Sequence, residues 1–308
     1  MKPNKDILCR EKDNSALFRL LNEWSSYIDQ CVNFGTHVIG WCNEKPKKDK
    51  SDSVIIPMFR HLVELYDGIA VLTREGCSDS ATPLLRSMLE AFLGLEYILK
   101  EDSVNRALAY RVCSAHSKLA SYRKFNPKSE EYSRFQEILQ GDSTAKNILP
   151  LSKDVEPLIE NIENMLKKPD FKRIDTEWKR TKKKLKRTPN WYSLFDGPTN
   201  LRLLSQIMGR AGWYEFLYRP WSAGVHAASV TQHLKVDEEL GPVMLCIRYP
   251  QSLQLNSSLA TSMALNSYNL MIDNYIPERK DVYASWYVNE IRDWYLTVTS
   301  AKEIIEIK

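Results

Sequence analysis

The sequence predicts an all-α fold, and three observations carry the prediction. Apolar residues recur at helical spacing along most of the 308 residues. The chain has only 11 glycines, which are few for a protein built on tight turns or phosphate-binding loops. Hydrophobic residues make up 43% and charged residues 27%, an ordinary balance for a folded chain that buries a substantial core. Together these features favour a multi-helix bundle over a β-rich or Rossmann-type protein.

Apolar stripes place the helices of the first half in order. A stripe over residues 17–31 repeats at spacings of three and four and predicts the first helix. A charged gap over 43–53 indicates a loop before a second helix over 58–72. Two further stripes, over 85–99 and 103–120, predict the third and fourth helices.

The second half has a different character. Residues 126–198 are rich in Lys, Glu, Ser and Asp and contain only short amphipathic pieces. Helical periodicity returns near residue 199 and breaks at Pro220, and two long helices follow over 252–275 and 281–295. The apolar run over 242–250 lies between two prolines and predicts either a short strand or a buried extended loop.

These elements predict a helical bundle with an insertion. Residues 54–125 form its first half and 199–308 its second half, which carries the C-terminal helix. Residues 1–53 are an N-terminal helix and charged linker, and 126–198 are a polar, lysine-rich lobe inserted into the bundle.

The net charge of +4 is unevenly distributed. Residues 167–187 contain 11 Lys and Arg against 3 Asp and Glu, so the rest of the chain is mildly acidic. The densest part is either a solvated surface or a contact for the phosphate backbone of RNA. The flanking Trp178, Trp191 and Tyr192 either stack on unpaired bases or anchor the segment to a core. The candidate RNA-binding residues are Lys179, Arg180, Lys182, Lys183, Lys184, Lys186 and Arg187.

Several classes of protein lack support. The motifs GxGxxG, GxxxxGK[ST], HExxH and GxSxG do not occur, and the six cysteines are scattered without CxxC spacing. We therefore expect free thiols, no metal site and no cofactor. The chain has no stretch of 18 apolar residues and begins with a polar segment, so we expect a cytoplasmic protein without a membrane span.

An arginine and a histidine near residue 220 form the first candidate for chemistry. Six residues separate Arg219 from His226, and Pro220 predicts that Arg219 ends one helix and His226 enters the next. A bend there would bring both side chains around one phosphate. Arg219 would hold the phosphate in a two-pronged contact, while His226 would exchange a proton with a ribose 2′-hydroxyl. This chemistry requires no metal.

A second pair lies on the third predicted helix. Arg86 and Glu90 are four residues apart and share a helix face among apolar neighbours. They form either an internal salt bridge that fixes helix packing or, with Tyr218 and Ser222, a set of residues that supports Arg219 and His226. The role of His116 stays open at this point.

Three segments resemble a group of bacterial helical proteins related to the HEPN superfamily. They are LLRSMLEAFLGLEYIL at 84–99, NRALAY at 105–110 and YRPWSAGVHA at 218–227, and the similarity covers 54–125 and 199–276. HEPN-like proteins are α-helical, often dimeric, and many are metal-independent ribonucleases of toxin–antitoxin and other defence systems. Their signature is an arginine, usually a polar residue next, and a histidine after four to six intervening positions. Here six positions intervene, and Pro220 takes the place of the polar residue.

The resemblance implies a ribonuclease, or a defence effector of anti-phage or toxin type, that cleaves RNA without a metal ion. Its catalytic residues would be Arg219 and His226. It also implies a homodimer and an RNA partner, with an antitoxin or defence-system protein as a further candidate partner. The aromatic residues Tyr283, Trp286, Tyr287 and Trp294 favour the dimer as well. The alternative is a non-catalytic helical adaptor that binds a partner protein or nucleic acid.

Overall fold

The computed structural model describes residues 4–8, 16–47, 49–142, 144, 154–225, 230–237 and 241–300. Across these residues the protein is all-α, a multi-helix bundle with a two-stranded sheet, and the predicted fold class is confirmed. The chain divides into two compact units. Unit 1 comprises residues up to 101 and from 201 onward, and unit 2 comprises residues 102–200. No helix in the described ranges is long and apolar enough to cross a membrane.

The helices and strands follow one another along the chain in the order given below. Unit 1 begins with α1 (Lys5–Leu8), α2 (Ala16–Glu44), α3 (Asp52–Arg74) and α4 (Ser78–Lys100). Unit 2 contains α5 (Ser103–Arg123), α6 (Glu130–Gln140), α7 (Glu156–Lys167), α8 (Pro169–Leu185) and a 3-10 turn (Trp191–Asp196). Unit 1 resumes with α9 (Leu201–Ile207), α10 (Ala211–Trp213), a π-turn (Tyr214–Tyr218), α11 (Arg219–Val225) and a 3-10 turn (Val230–His233). It ends with β1 (Leu234–Asp237), β2 (Gly241–Met244), α12 (Leu253–Tyr275), a 3-10 turn (Pro277–Arg279), α13 (Lys280–Trp286), a second π-turn (Tyr287–Ile291) and α14 (Arg292–Val298).

The core of unit 1 lies where α2, α3 and α4 pack around α12. Tyr268 of α12 is fully buried and donates its hydroxyl hydrogen to the carbonyl oxygen of Cys31 on α2 at 2.8 Å. The buried hydroxyl of Tyr66 lies 2.7 Å from Thr261 Oγ1, so α3 is tied to α12 in the same way. Buried polar groups need partners of this kind, because an unpaired one costs about 1–3 kcal/mol.

Gly35 allows α12 to approach α2 closely. A Cβ atom at this position would lie 2.8 Å from Tyr268 Oη and 3.0 Å from Val63 Cγ2. We therefore expect Gly35→Ala to displace Tyr268 and weaken its bond to Cys31. Overpacking costs about 1–3 kcal/mol, which outweighs the gain of about 1 kcal/mol from the better helix former. Urea unfolding should show a net loss of stability.

Gly40 on the same helix provides the matched control for Gly35. No heavy atom lies within 4 Å of a Cβ built at Gly40. Gly40→Ala should therefore raise the free energy of unfolding by about 0.5–1 kcal/mol, because only helix propensity changes. If both substitutions changed the free energy of unfolding in the same direction, this would contradict the close approach of α12 at Gly35.

Most of the C-terminal aromatic residues pack inside unit 1. Phe34 of α2 stacks on Trp286 with ring centroids 4.0 Å apart and contacts Tyr283 at 5.7 Å. Trp294 is 6% exposed and stacks on Tyr27 at 5.0 Å. These three rings therefore contribute to the packing of unit 1 itself, and their suggested part in a dimer surface is not tested by these contacts. The homodimer itself stays a prediction.

Unit 2 has its own apolar core. Leu108, Val112 and Leu119 of α5 pack in one buried cluster with Ile159 of α7 and Ile174 of α8. The sequence predicts that the lobe begins at residue 126 and that α5 belongs to the bundle, whereas α5 lies in unit 2. The stripe on α5 reveals that one face is apolar, but the helices that cover this face lie 40 to 70 residues further along the chain.

The run between two prolines begins as a strand. β2 pairs with β1 in antiparallel register, Leu234 opposite Met244. Residues 245–250 continue as irregular chain. The pair is not part of a core, because Val236 is 85% and Met244 is 71% exposed.

Candidate functional site

Arg86, Glu90 and Tyr218 form one hydrogen-bonded network in unit 1. Arg86 Nη2 donates to Tyr218 Oη at 2.9 Å, and this hydroxyl donates to Glu90 Oε1 at 2.8 Å. Arg86 Nε also lies 3.4 Å from the same carboxylate oxygen. The structure thus brings together three of the residues that the sequence suggests as a supporting set. It also contains the direct Arg86–Glu90 ion pair that was the alternative explanation.

The π-turn over 214–218 carries Tyr218 to this position. Tyr214 stacks on Tyr218 with ring centroids 5.2 Å apart, and the Arg86 guanidinium carbon lies 4.9 Å from the Tyr218 ring centroid. Burial and the bond to Glu90 raise the pKa of Tyr218, so its hydroxyl stays protonated and donates. π-turns are rare in proteins, and those that occur are often found at functional sites. This region is therefore the first candidate site.

Tyr218→Phe tests the network. The substitution keeps the ring and its stacking and removes the hydroxyl that joins Arg86 to Glu90. We expect the free energy of unfolding in urea to fall by about 1 kcal/mol, because two hydrogen bonds are lost while the ion pair remains. Tyr214→Phe is the control, since no hydrogen bond of its hydroxyl is found among the described residues. Equal losses in the two variants would assign the stability to the rings rather than to the network.

Arg219 is exposed and already paired. Its Nη1 lies 2.9 Å from Glu215 Oε2, and Arg202 Nε lies 2.8 Å from Glu215 Oε1. The hydrogen bond from Arg219 lowers the pKa of Glu215, so this carboxylate stays ionised at neutral pH. A phosphate that binds Arg219 must therefore compete with Glu215.

The prediction that Arg219 ends one helix at Pro220 is wrong. Helical backbone runs through α10, the π-turn and α11, and Arg219 has φ −63° and ψ −50°. Pro220 is the second residue of α11, directly after the π-turn, where the changed hydrogen-bond pattern tolerates a residue without an N–H group. Ser222 lies one turn after Arg219 and is half-buried. His226 lies outside the described residues, so its approach to Arg219 stays a prediction.

A cavity of about 370 Å³ lies beside Pro220 and Trp221. His233 and Asp79 both line it, and His233 Nδ1 lies 3.3 Å from Asp79 Oδ2. Nothing in the sequence indicates this pair, because no motif links two residues so far apart in the chain. Asn256 and Ser78 also line the cavity, and buried Asn256 donates to the carbonyl oxygen of Ser78 at 3.1 Å.

The lysine-rich run forms a basic face at the end of α8 and just after it. Asp175 pairs with Lys179 at 2.6 Å, and Asp196 pairs with Arg180 at 3.1 Å and Lys184 at 2.7 Å. Lys182, Lys183 and Lys186 have no carboxylate partner among the described residues. A groove of about 470 Å³, here called the basic groove, is lined by Trp178, Lys179, Lys182, Lys183, Lys186 and Arg187 and by no acidic residue.

Trp178 does not offer a free face to a nucleic-acid base. It is 6% exposed, its ring is parallel to His116 at 3.5 Å between centroids, and Lys182 Nζ lies 4.9 Å from its centroid. Trp191 and Tyr192 are half-buried and pack edge-to-face on each other. For Trp178, the suggested stacking on bases is therefore wrong, and the alternative role as an anchor to the core is the correct one.

Comparison with known proteins gives one match. The model of a family of unknown function (DUF5677) matches residues 52–241, a range that includes Arg86, the basic groove and Arg219. No curated protein and no solved structure matches the chain.

Proposed function

The chain belongs to the DUF5677 family, whose function is unknown, and from its own residues we propose that it binds RNA through the basic groove of unit 2. The absence of acidic residues from the groove lining is the observation that carries the proposal. Unpaired lysines along a groove replace the counterions of a phosphate backbone, and the release of these counterions drives binding. The choice of RNA follows from the HEPN-like resemblance.

The helix dipole explains only part of the basic face. Cations near a helix C-terminus are stabilised by about 0.3–1 kcal/mol each, which accounts for Lys182, Lys183 and Lys184 in the last turn. It does not account for Lys186, which follows the helix in the left-handed conformation at φ 53°. Glycine usually occupies this position, and a side chain there costs about 1–2 kcal/mol. The energetic cost of the left-handed conformation at Lys186 supports a role for this lysine beyond ending the helix.

Titration of a labelled single-stranded RNA at several salt concentrations tests the proposal. Fluorescence anisotropy should show binding whose logarithm falls with the logarithm of the salt concentration, with a slope of about −2 for three phosphate contacts. Binding that does not respond to salt would contradict the groove as the contact surface.

A second candidate function is metal-independent RNA cleavage in unit 1. The Arg86–Glu90–Tyr218 network favours it, because it fixes the residue directly before Arg219. In this proposal Arg219 exchanges Glu215 for a phosphate, and His226 takes the proton from the 2′-hydroxyl. The 2′-oxygen then bonds to phosphorus, the bond from phosphorus to the 5′-oxygen breaks, and the 5′-oxygen leaves with a proton from water. The products would then carry a 2′,3′-cyclic phosphate, and a chelator would not inhibit the reaction. Incubation with total RNA tests this; RNA that is bound but uncleaved would leave the non-catalytic adaptor as the function.

A further inference from the structure

Unit 2 contains a cavity of about 860 Å³ that the proposed function does not use. Residues of α5, α7 and α8 line it, and Leu119, Ala120 and Leu166 provide an apolar side. The volume lies within the range of about 300–1,000 Å³ that is typical of small-molecule sites.

A histidine and an aspartate are fixed in the wall of this cavity. His116 Nε2 lies 2.6 Å from Asp175 Oδ1, and the two side chains are 16% and 11% exposed. Lys179 holds the other oxygen of Asp175 at 2.6 Å, so the carboxylate accepts from both groups. Nε2–H of His116 therefore points to Asp175, and Nδ1 is left for a ligand. Burial lowers the pKa of His116, so Nδ1 carries a lone pair at neutral pH.

The charge around the cavity favours an anion. Five cationic side chains and three acidic ones line it, and Arg123 and Lys179 are each paired with an acid. Lys172 and Lys182 have no carboxylate partner among the described residues.

We propose that this cavity binds a phosphate monoester, with Lys172 and Lys182 pairing with its oxygens and His116 Nδ1 sharing its proton. A monoester fits better than a backbone diester, because its second proton dissociates near pH 6 and can be shared with an imidazole. The apolar side formed by Leu119 and Leu166 would contact the organic part of the ligand.

The ligand has two possible sources with the same chemistry. The cavity and the basic groove share Trp178, Lys179 and Lys182, so a strand in the groove can place its terminal phosphate in the cavity. This source rests on the proposed function. The other source is a free nucleotide, which does not depend on it.

The test uses the full chain and matched probes. In the first comparison, binding of adenosine 5′-monophosphate is measured against binding of adenosine. In the second, three forms of one 10-nucleotide RNA are compared: one with a 5′-phosphate, one with a 3′-phosphate and one with hydroxyl groups at both ends. We expect the phosphorylated member of at least one comparison to bind about tenfold more tightly, since hydrogen bonds to charged groups are worth at least that factor. A preference for the nucleotide alone or for the RNA end alone identifies the source.

Lys172→Met separates the cavity from the groove. Lys172 is exposed and lines only the cavity, so its loss should remove the preference for phosphate and leave binding of hydroxyl-ended RNA unchanged. His116→Asn should reduce the preference in the same way. Lys118→Met, also exposed in unit 2 but outside the cavity lining, is the control and should keep the preference.

Two results have distinct meanings. If adenosine 5′-monophosphate is preferred but hydroxyl-ended RNA does not bind, the proposed function fails and the monoester site stands. If neither comparison favours the phosphorylated probe, or if Lys172→Met retains the preference, the monoester site is overturned.

Discussion

Replacing Lys182, Lys183 and Lys186 with alanine together is expected to weaken binding of single-stranded RNA about 100-fold at 0.1 M salt. Each lysine that neutralises a phosphate contributes about 0.7 to the slope of log K against log salt. Three lost contacts should therefore reduce the slope by about 2. These lysines lack carboxylate partners among the described residues, so their charges are the ones most available to RNA. The loss should be similar for all RNA sequences, because phosphate contacts do not distinguish bases.

A charge-matched variant provides the control for this triple substitution. Lys118, Lys124 and Lys168 are exposed in the same unit, do not line the basic groove and have no carboxylate partner among the described residues. Replacing all three with alanine changes the net charge of the chain equally, so any difference reflects position. A similar loss in both variants would mean that RNA responds to overall charge only. Unchanged affinity and slope in the first variant would reduce the basic face to a solvated helix end.

The helices could be predicted because their signal is local. Apolar stripes identify α2, α3, α4, α5 and α12, since each such face must be buried. The partner of a stripe is not local information. The stripe on α5 packs against α7 and α8, and nothing in its spacing indicates that these helices cover it.

The same distinction between local and long-range information applies to the residues of the candidate sites. Arg86 and Glu90 were found because they are four residues apart on one helix, and Tyr218 because it adjoins Arg219 in a family-like motif. The π-turn is not indicated by the sequence, because it spans only five residues, too few for its altered phase to stand out in the pattern of apolar residues. His116 and Asp175 lie 59 residues apart and meet only because α5 packs on α8.

Arg219→Lys and His226→Ala are expected to reduce RNA cleavage strongly, if unit 1 is a ribonuclease. General acid–base help is worth about 10²–10⁴-fold in rate, so His226→Ala should remove most of the activity. Arg219→Lys retains the charge and loses the planar fork that holds a phosphate in two contacts, so its activity should fall as well. The Arg219 side chain is 66% exposed, so the substitution should leave the melting temperature nearly unchanged.

Arg202 supplies a close control, because it binds the same carboxylate. Its Nε lies 2.8 Å from Glu215 Oε1, and its side chain is 59% exposed. Arg202→Lys should therefore keep full activity, since this arginine stands outside the motif. Glu215→Gln should raise the affinity for RNA, because Arg219 no longer exchanges a charged partner for phosphate. If Arg219 only anchors Glu215, both arginine variants should instead behave alike, and Glu215→Gln should lower the melting temperature without changing RNA affinity. Measuring cleavage, RNA affinity and melting temperature on the wild type and on these four variants separates the two accounts. A wild-type protein that leaves total RNA intact would end the nuclease proposal, whatever the variants do.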